Sequence, residues 1–144
     1  MPMKKILFVC CWAWCSAAAC AQTASTDSTV FRAYLFNIEY SIYMRINFYK
    51  QDIVIPGQEL LGTLPGYLGK ERNSFCWPVL QADIKGKEAR LLMVNDYGSE
   101  DLEAVLTCVD DSTYTLKQGK GSTLKVPNNG KWQKLPRVLT LKRK

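Results

Sequence analysis

The feature that most limits the fold is a run of strict alternation in which Ile38, Tyr40, Ile42, Met44, Ile46 and Phe48 occupy every second position.

 

Glu39, Ser41, Tyr43, Arg45, Asn47 and Tyr49 fill the positions between them. A period of two places one set on each face of an extended strand, whereas a helix would scatter both sets around its axis. A strand with one apolar and one polar face belongs in an antiparallel sheet that covers a core on one side. One as long as residues 38–49 has to bend or coil, as strands do in closed barrels.

The same period runs through most of the chain. Residues 30–37 read as a first strand and 38–49 as a second. Residues 58–64, between the turn dipeptides Pro56-Gly57 and Pro65-Gly66, form a short candidate strand, and 66–74 read as the longest irregular loop. Residues 75–84 and 87–95 make a hairpin through Lys85-Gly86. After a turn at 96–100, Leu102, Ala104, Leu106 and Cys108 share one face of a further strand. Segments 113–118, 122–126 and 137–142 complete the set, with a turn at Pro127-Asn128-Asn129-Gly130. The expected fold is therefore all-β: a small antiparallel meander of about eight strands, closed or partly open as a barrel in preference to a two-sheet sandwich. Closure removes the exposed edges that a meander would otherwise present. With 144 residues there is room for one such domain, over residues 30–144.

Residues 1–21 carry the three parts of a cleavable secretory signal: Lys4 and Lys5, an apolar run over residues 6–14, and the small-residue stretch ending Ala19-Cys20-Ala21. The apolar stretch is shorter than the roughly 20 residues that span a bilayer, so no transmembrane segment is expected after cleavage. Ala17-Ala18-Ala19-Cys20 also resembles the bacterial lipoprotein box, with alanine where that pattern prefers leucine, which makes a lipid anchor at Cys20 the alternative. Under either processing, residues 22–29 form a flexible Ser/Thr-rich segment. The expected location is exported: periplasmic, envelope-associated or secreted.

Removal of the signal takes Cys10, Cys11, Cys15 and Cys20 with it and leaves Cys76 and Cys108. A regular hairpin at Lys85-Gly86 sets Cys76 level with Asn95, while Cys108 lies at the far end of the following strand. Six strand residues extend roughly 20 Å, and bridged Cα atoms lie within about 7 Å. The meander therefore predicts two free, buried cysteines.

The chain contains no histidine, which excludes histidine-dependent triads and histidine-ligated zinc. Asp96, Ser99, Glu100, Asp101 and Glu103 crowd one turn, without the alternating carboxylates of an EF-hand loop. Adjacent carboxylates such as Glu100 and Asp101 are also poorly placed to flank a glycosidic bond. No catalytic residue, metal ligand or cofactor is expected, and a histidine-free enzyme ranks third among the functional readings. From Lys117 to the end there are nine basic residues and no acid, whereas residues 96–111 hold six acids and no base. That asymmetry suits an envelope protein or an anionic polymer as partner, with Lys131, Trp132, Lys134 and Arg137 as the candidate surface. Export takes nucleic acid out of reach.

Strand number and length resemble the small calycin-type barrels, the lipocalin and avidin group. The resemblance is one of architecture alone, because residues 30–37 lack the Gly-x-Trp that lipocalins carry on their first strand. It implies a barrel that can hold a small apolar ligand. The leading reading is accordingly a non-enzymatic binding module of a bacterial envelope, with Tyr40, Met44, Phe48 and Leu91 lining the pocket. The alternative is an interaction module that uses the basic C-terminal face.

Overall fold

The alternation resolves into one closed sheet. The computed structural model describes residues 29–144, so the signal, Cys20 and all but the end of the Ser/Thr-rich segment lie outside the described residues. Ten strands follow in chain order: β1 (Arg32–Asn37), β2 (Ile42–Asn47), β3 (Gly66–Lys70), β4 (Cys76–Lys85), β5 (Glu88–Val94), β6 (Asp101–Cys108), β7 (Thr113–Gly121), β8 (Lys125–Asn128), β9 (Lys131–Lys134) and β10 (Val138–Arg143). Eight of them close in the order β1-β10-β7-β6-β5-β4-β3-β2, and every neighbouring pair is antiparallel. The barrel is thus an up-and-down meander whose first and last strands meet, as the sequence predicts. The hairpin β8–β9 is a separate two-stranded sheet inserted between the seventh and eighth barrel strands.

Inward-facing positions follow the predicted parity. Ile42, Met44 and Ile46 of β2 join Ala89, Leu91 and Met93 of β5, Leu102, Ala104 and Leu106 of β6, and Leu139 and Leu141 of β10 in one buried cluster. Both ends of the barrel are filled. At one end Phe31 stacks on Phe48 with ring centroids 5.5 Å apart and meets the edge of Tyr114 at 6.5 Å. The Tyr114 hydroxyl donates to the Val30 carbonyl, and Arg143 donates to the carbonyls of Thr29 (3.0 Å) and Arg32 (3.2 Å).

At the other end the roots of the β8–β9 hairpin turn inward, burying Leu124, Val126 and Leu135 against the core. Trp77, fully buried, donates its indole N–H to the Lys125 carbonyl at 2.9 Å. Gln118 accepts from the Leu124 amide at 2.7 Å and donates to the Pro136 carbonyl at 2.9 Å. These bonds satisfy polar groups that burial would otherwise penalise. The register shifts at Val79/Gln81 and at Leu102/Ala104 place one extra residue in β4 and one in β7.

Four local expectations are corrected. Residues 38–49 are not one strand: the chain turns back at 38–41, so β1 and β2 form a hairpin. Asn37 drives the reversal by accepting the Tyr40 amide at 2.9 Å, Ser41 takes a positive φ of 51°, and Ile38 is left 81% exposed. Residues 58–64 are not a strand either. Glu59–Leu61 form a single 3-10 turn, and only Leu64 pairs, with Ile53.

Residues 66–74, expected to be loop, begin with β3, which lies between β2 and β4. Gly66 and Gly69 are close-approach positions rather than loop signals. A Cβ at Gly66 would enter the Arg45 carbonyl, and one at Gly69 the Tyr43 ring. Finally, the strand expected at 122–126 begins only at Lys125 and runs through Asn128, so the turn expected at 127–130 contracts to Asn129 and Gly130, which both adopt positive φ (53° and 76°) and lead into β9.

Residues 53–64 cover the outside of the barrel rather than its interior. Ile55 is buried with Tyr67 and Cys76, and Tyr43, Ile53 and Leu64 pack around them.

Because Trp77 joins the interior to the hairpin, Trp77→Ala is expected to lower unfolding free energy by about 3–5 kcal/mol. Urea denaturation measures it, and a loss no larger than that of a surface substitution would contradict the packing described.

Candidate functional site

Three of the four residues expected to line an interior pocket lie within the packed core. Met44 and Leu91 face inward on β2 and β5, and Phe48 stacks under Phe31 at one end. Tyr40, half-buried in the 38–41 turn, packs against the same cluster. The space they share is occupied by neighbouring side chains, Trp77, Leu68, Phe31 and Tyr114 among the largest.

The C-terminal candidates are at the surface. Lys131, Trp132 and Lys134 lie on β9, and Arg137 follows it, exposed, its carbonyl accepting the Gln118 amide at 2.9 Å. The β8–β9 register pairs Lys125 with Lys134 and Pro127 with Trp132, so these four share one face of the hairpin. Val126 and Gln133, also paired, belong to the opposite face, where Val126 enters the core.

The outward face meets the 95–100 turn and forms a groove of about 200 Å³. One wall is aromatic. Trp132 is 53% exposed and stands edge-to-face on Phe75, with centroids 5.0 Å apart. Tyr97, 73% exposed, contacts the same Phe75 at 6.0 Å. The remaining lining is polar: Asn95, Ser99, Glu100 and Lys125.

Asn95 organises that polar side. Its side-chain Oδ1 accepts the amides of Ser99 (2.9 Å) and Glu100 (3.3 Å), and its NH₂ donates to Ser99 Oγ at 3.0 Å. Ser99 Oγ therefore acts as acceptor within the turn, which leaves its own O–H as a donor. Glu100 pairs with Lys125 at 3.2 Å, each side chain about one-third exposed. An ion pair that open to water adds little to stability, and both of its members remain accessible to a ligand.

The acidic turn does not gather its carboxylates round one point. Glu100 turns to Lys125, whereas Asp96 accepts from Gln58 and from the Cys76 thiol at 3.9 Å. Burial, followed by the charge of Asp96, pushes the Cys76 thiol up to about 12. Cys76 and Cys108 are both free, in agreement with the meander geometry. Cys76 is buried as expected, but Cys108 is only partly so, with its thiol 3.2 Å from the Asp110 carbonyl.

Of this groove, sequence reasoning identified Trp132 alone as a surface residue. Phe75 falls in the strand expected over 75–84, and Tyr97, Ser99 and Glu100 in the turn expected at 96–100. The available signal was Tyr97 itself, an aromatic set between Asp96 and Gly98 in a turn, outside any alternating segment.

No protein-family model, curated protein sequence or solved structure matches the chain.

The two cysteines should differ in reactivity. At pH 8.5 a soluble thiol reagent is expected to modify Cys108 in the native protein and spare Cys76, with both modified in denaturant; peptide mapping reads the sites. The folded state retains a Cys76 proton that the unfolded chain releases near 9.0, so this group's contribution to stability is present below that pH. It is lost as pH rises towards about 12. Rapid native labelling of Cys76 would contradict the burial.

Proposed function

We propose that the protein is an exported, non-enzymatic binding module of the cell envelope that engages an envelope polymer through the rim groove beside Trp132. The observation that carries this reading is the position of Trp132, a large amphipathic ring held half in solvent by a hairpin whose other face is locked into the core. Tryptophan is among the side chains enriched at the few positions that carry most of an interface's binding energy. Lys134, exposed on the same face, and the exposed Lys131 and Arg137 beside it lend that side of the rim the charge to attract an anionic chain.

A carrier of small apolar ligands, suggested by the barrel architecture, has less in its favour. Met44, Phe48 and Leu91 are committed to packing, and both barrel ends are filled by the chain's own side chains. A ligand there would have to displace core contacts and meet the cost of repacking.

Co-sedimentation with insoluble envelope material tests the proposal. Wild-type protein is expected in the pellet, and Trp132→Ala should reduce the bound fraction's affinity by about tenfold or more. Substitution of the distant, exposed Val109 by Ser should leave it unchanged. Added salt should weaken binding, most of it before the screening length falls to about 3 Å. Equal retention of wild type and Trp132→Ala would overturn the reading.

A further inference from the structure

We infer that the rim groove is a sugar subsite, accepting one pyranose ring of a glycan stacked on Trp132 with its hydroxyls directed to Ser99, Glu100 and Lys125. The inference rests on the rim-binding reading and names the ligand class for the same groove.

The argument is one of matched polarity. A pyranose has two unlike parts, an axial C–H face that is weakly positive and apolar, and a perimeter of hydroxyls that each donate and accept. The face complements the electron-rich surface of an indole, and the perimeter needs charged or polar partners within hydrogen-bond reach. The groove holds both kinds of surface side by side: Trp132 and Tyr97, supported by Phe75, and then Ser99, Glu100 and Lys125.

An ion pair bordering a sugar site has a specific use. Glu100 accepts only and Lys125 donates only, so two vicinal hydroxyls can bridge the pair, one donating to the carboxylate and the other accepting from the ammonium. The 3.2 Å separation keeps these complementary groups adjacent. Both are already partly dehydrated, and the Glu100 carboxylate also accepts from the Asn95 NH₂ at 3.5 Å, so less ordering remains to be done on binding.

A wholly apolar ligand fits the same groove poorly. It would cover Glu100, Lys125 and the Ser99 hydroxyl without replacing their bonds to water, a loss for each group. A peptide could place an aromatic or proline on Trp132, but the closely spaced donor–acceptor pair is better matched by vicinal hydroxyls. At about 200 Å³ the groove suits one ring rather than a longer buried segment.

Intrinsic fluorescence gives a direct test on purified protein from which the expected signal, with Trp12 and Trp14, has been cleaved, because Trp132 is exposed while Trp77 is fully buried. The probes are soluble oligosaccharides of neutral hexoses, of N-acetylhexosamines and of uronic acids, with a peptide pool from the same envelope fraction as comparison. The expected result is saturable quenching or a blue shift with at least one oligosaccharide class. Trp132→Ala should weaken that binding about tenfold and Trp132→Tyr much less, since a smaller ring retains the stacking face. Ser99→Ala should weaken it several-fold; because Ser99 Oγ also accepts from the buried Asn95 NH₂, its denaturation midpoint is measured alongside and binding is compared where the variant is fully folded.

If no oligosaccharide saturates while Trp132-dependent envelope binding persists, the sugar assignment is overturned and the rim reading stands. The same holds if the peptides alone compete. Oligosaccharide binding unaffected by Trp132→Ala overturns the stacking site. Loss of both oligosaccharide and Trp132-dependent envelope binding overturns the two proposals together.

Discussion

Closure of the sheet between β1 and β10 is the constraint on which the rest of this structure depends. Leu35 pairs with Arg143 and Phe36 with Lys142, joining residues more than a hundred positions apart in the chain. Without that seam both strands would be open edges, and the apolar faces of β2, β5 and β6 would lack an opposite wall. The seam also has a side-chain lock. The Asn37 amide donates to the Thr140 carbonyl at 2.8 Å, and Arg143 reaches Thr29 and Arg32. The barrel is therefore closed by its two terminal strands, and the segment leading into β1 becomes part of one plug.

A closed sheet still has two ends, and each end is completed differently. Aromatic stacking fills one, with Phe31, Phe48 and Tyr114 bringing large rigid surfaces that interlock. Backbone fills the other: Leu124, Val126 and Leu135 carry the hairpin roots inward, where the Leu135 amide donates to the Leu124 carbonyl and Trp77 and Gln118 partner the Lys125 carbonyl, the Leu135 carbonyl and the Leu124 amide. Gln118 occupies an inward position where an apolar residue would be the ordinary choice. Its amide replaces the ladder bonds that the chain gives up on leaving β7.

Much of this was legible in the sequence because period-two patterning records which side of a strand faces the core. Leu102, Ala104, Leu106 and Cys108 could be assigned to one face without knowing their neighbours, and the 85–86 hairpin and the separation of Cys76 from Cys108 followed from local pairing. What the pattern cannot register is a tight reversal that keeps its phase. Ile38 and Tyr40 continue the alternation into β2, yet the Asn37 side chain turns the chain between them. Gly66 and Gly69 are ambiguous for another reason: a missing side chain reads the same whether it frees a loop or admits a neighbouring strand. The groove was harder still, since Phe75, Tyr97, Ser99, Glu100 and Trp132 come from three separate segments. Only the tertiary course of the β8–β9 hairpin brings them together.

The hairpin thus joins stability to surface chemistry while keeping the two on opposite faces. Val126 points to the core and Trp132 away from it, a consequence of strand parity within four-residue strands. The Asn129-Gly130 turn fixes the register that holds this division, and a slip of one residue would pair Trp132 with Val126 and put both on one face. The two side chains would then compete for the interior, and the groove would lose its aromatic wall. The positive φ at both turn residues is consequently as important to the groove as any residue that lines it, because it decides which side chains the rim presents.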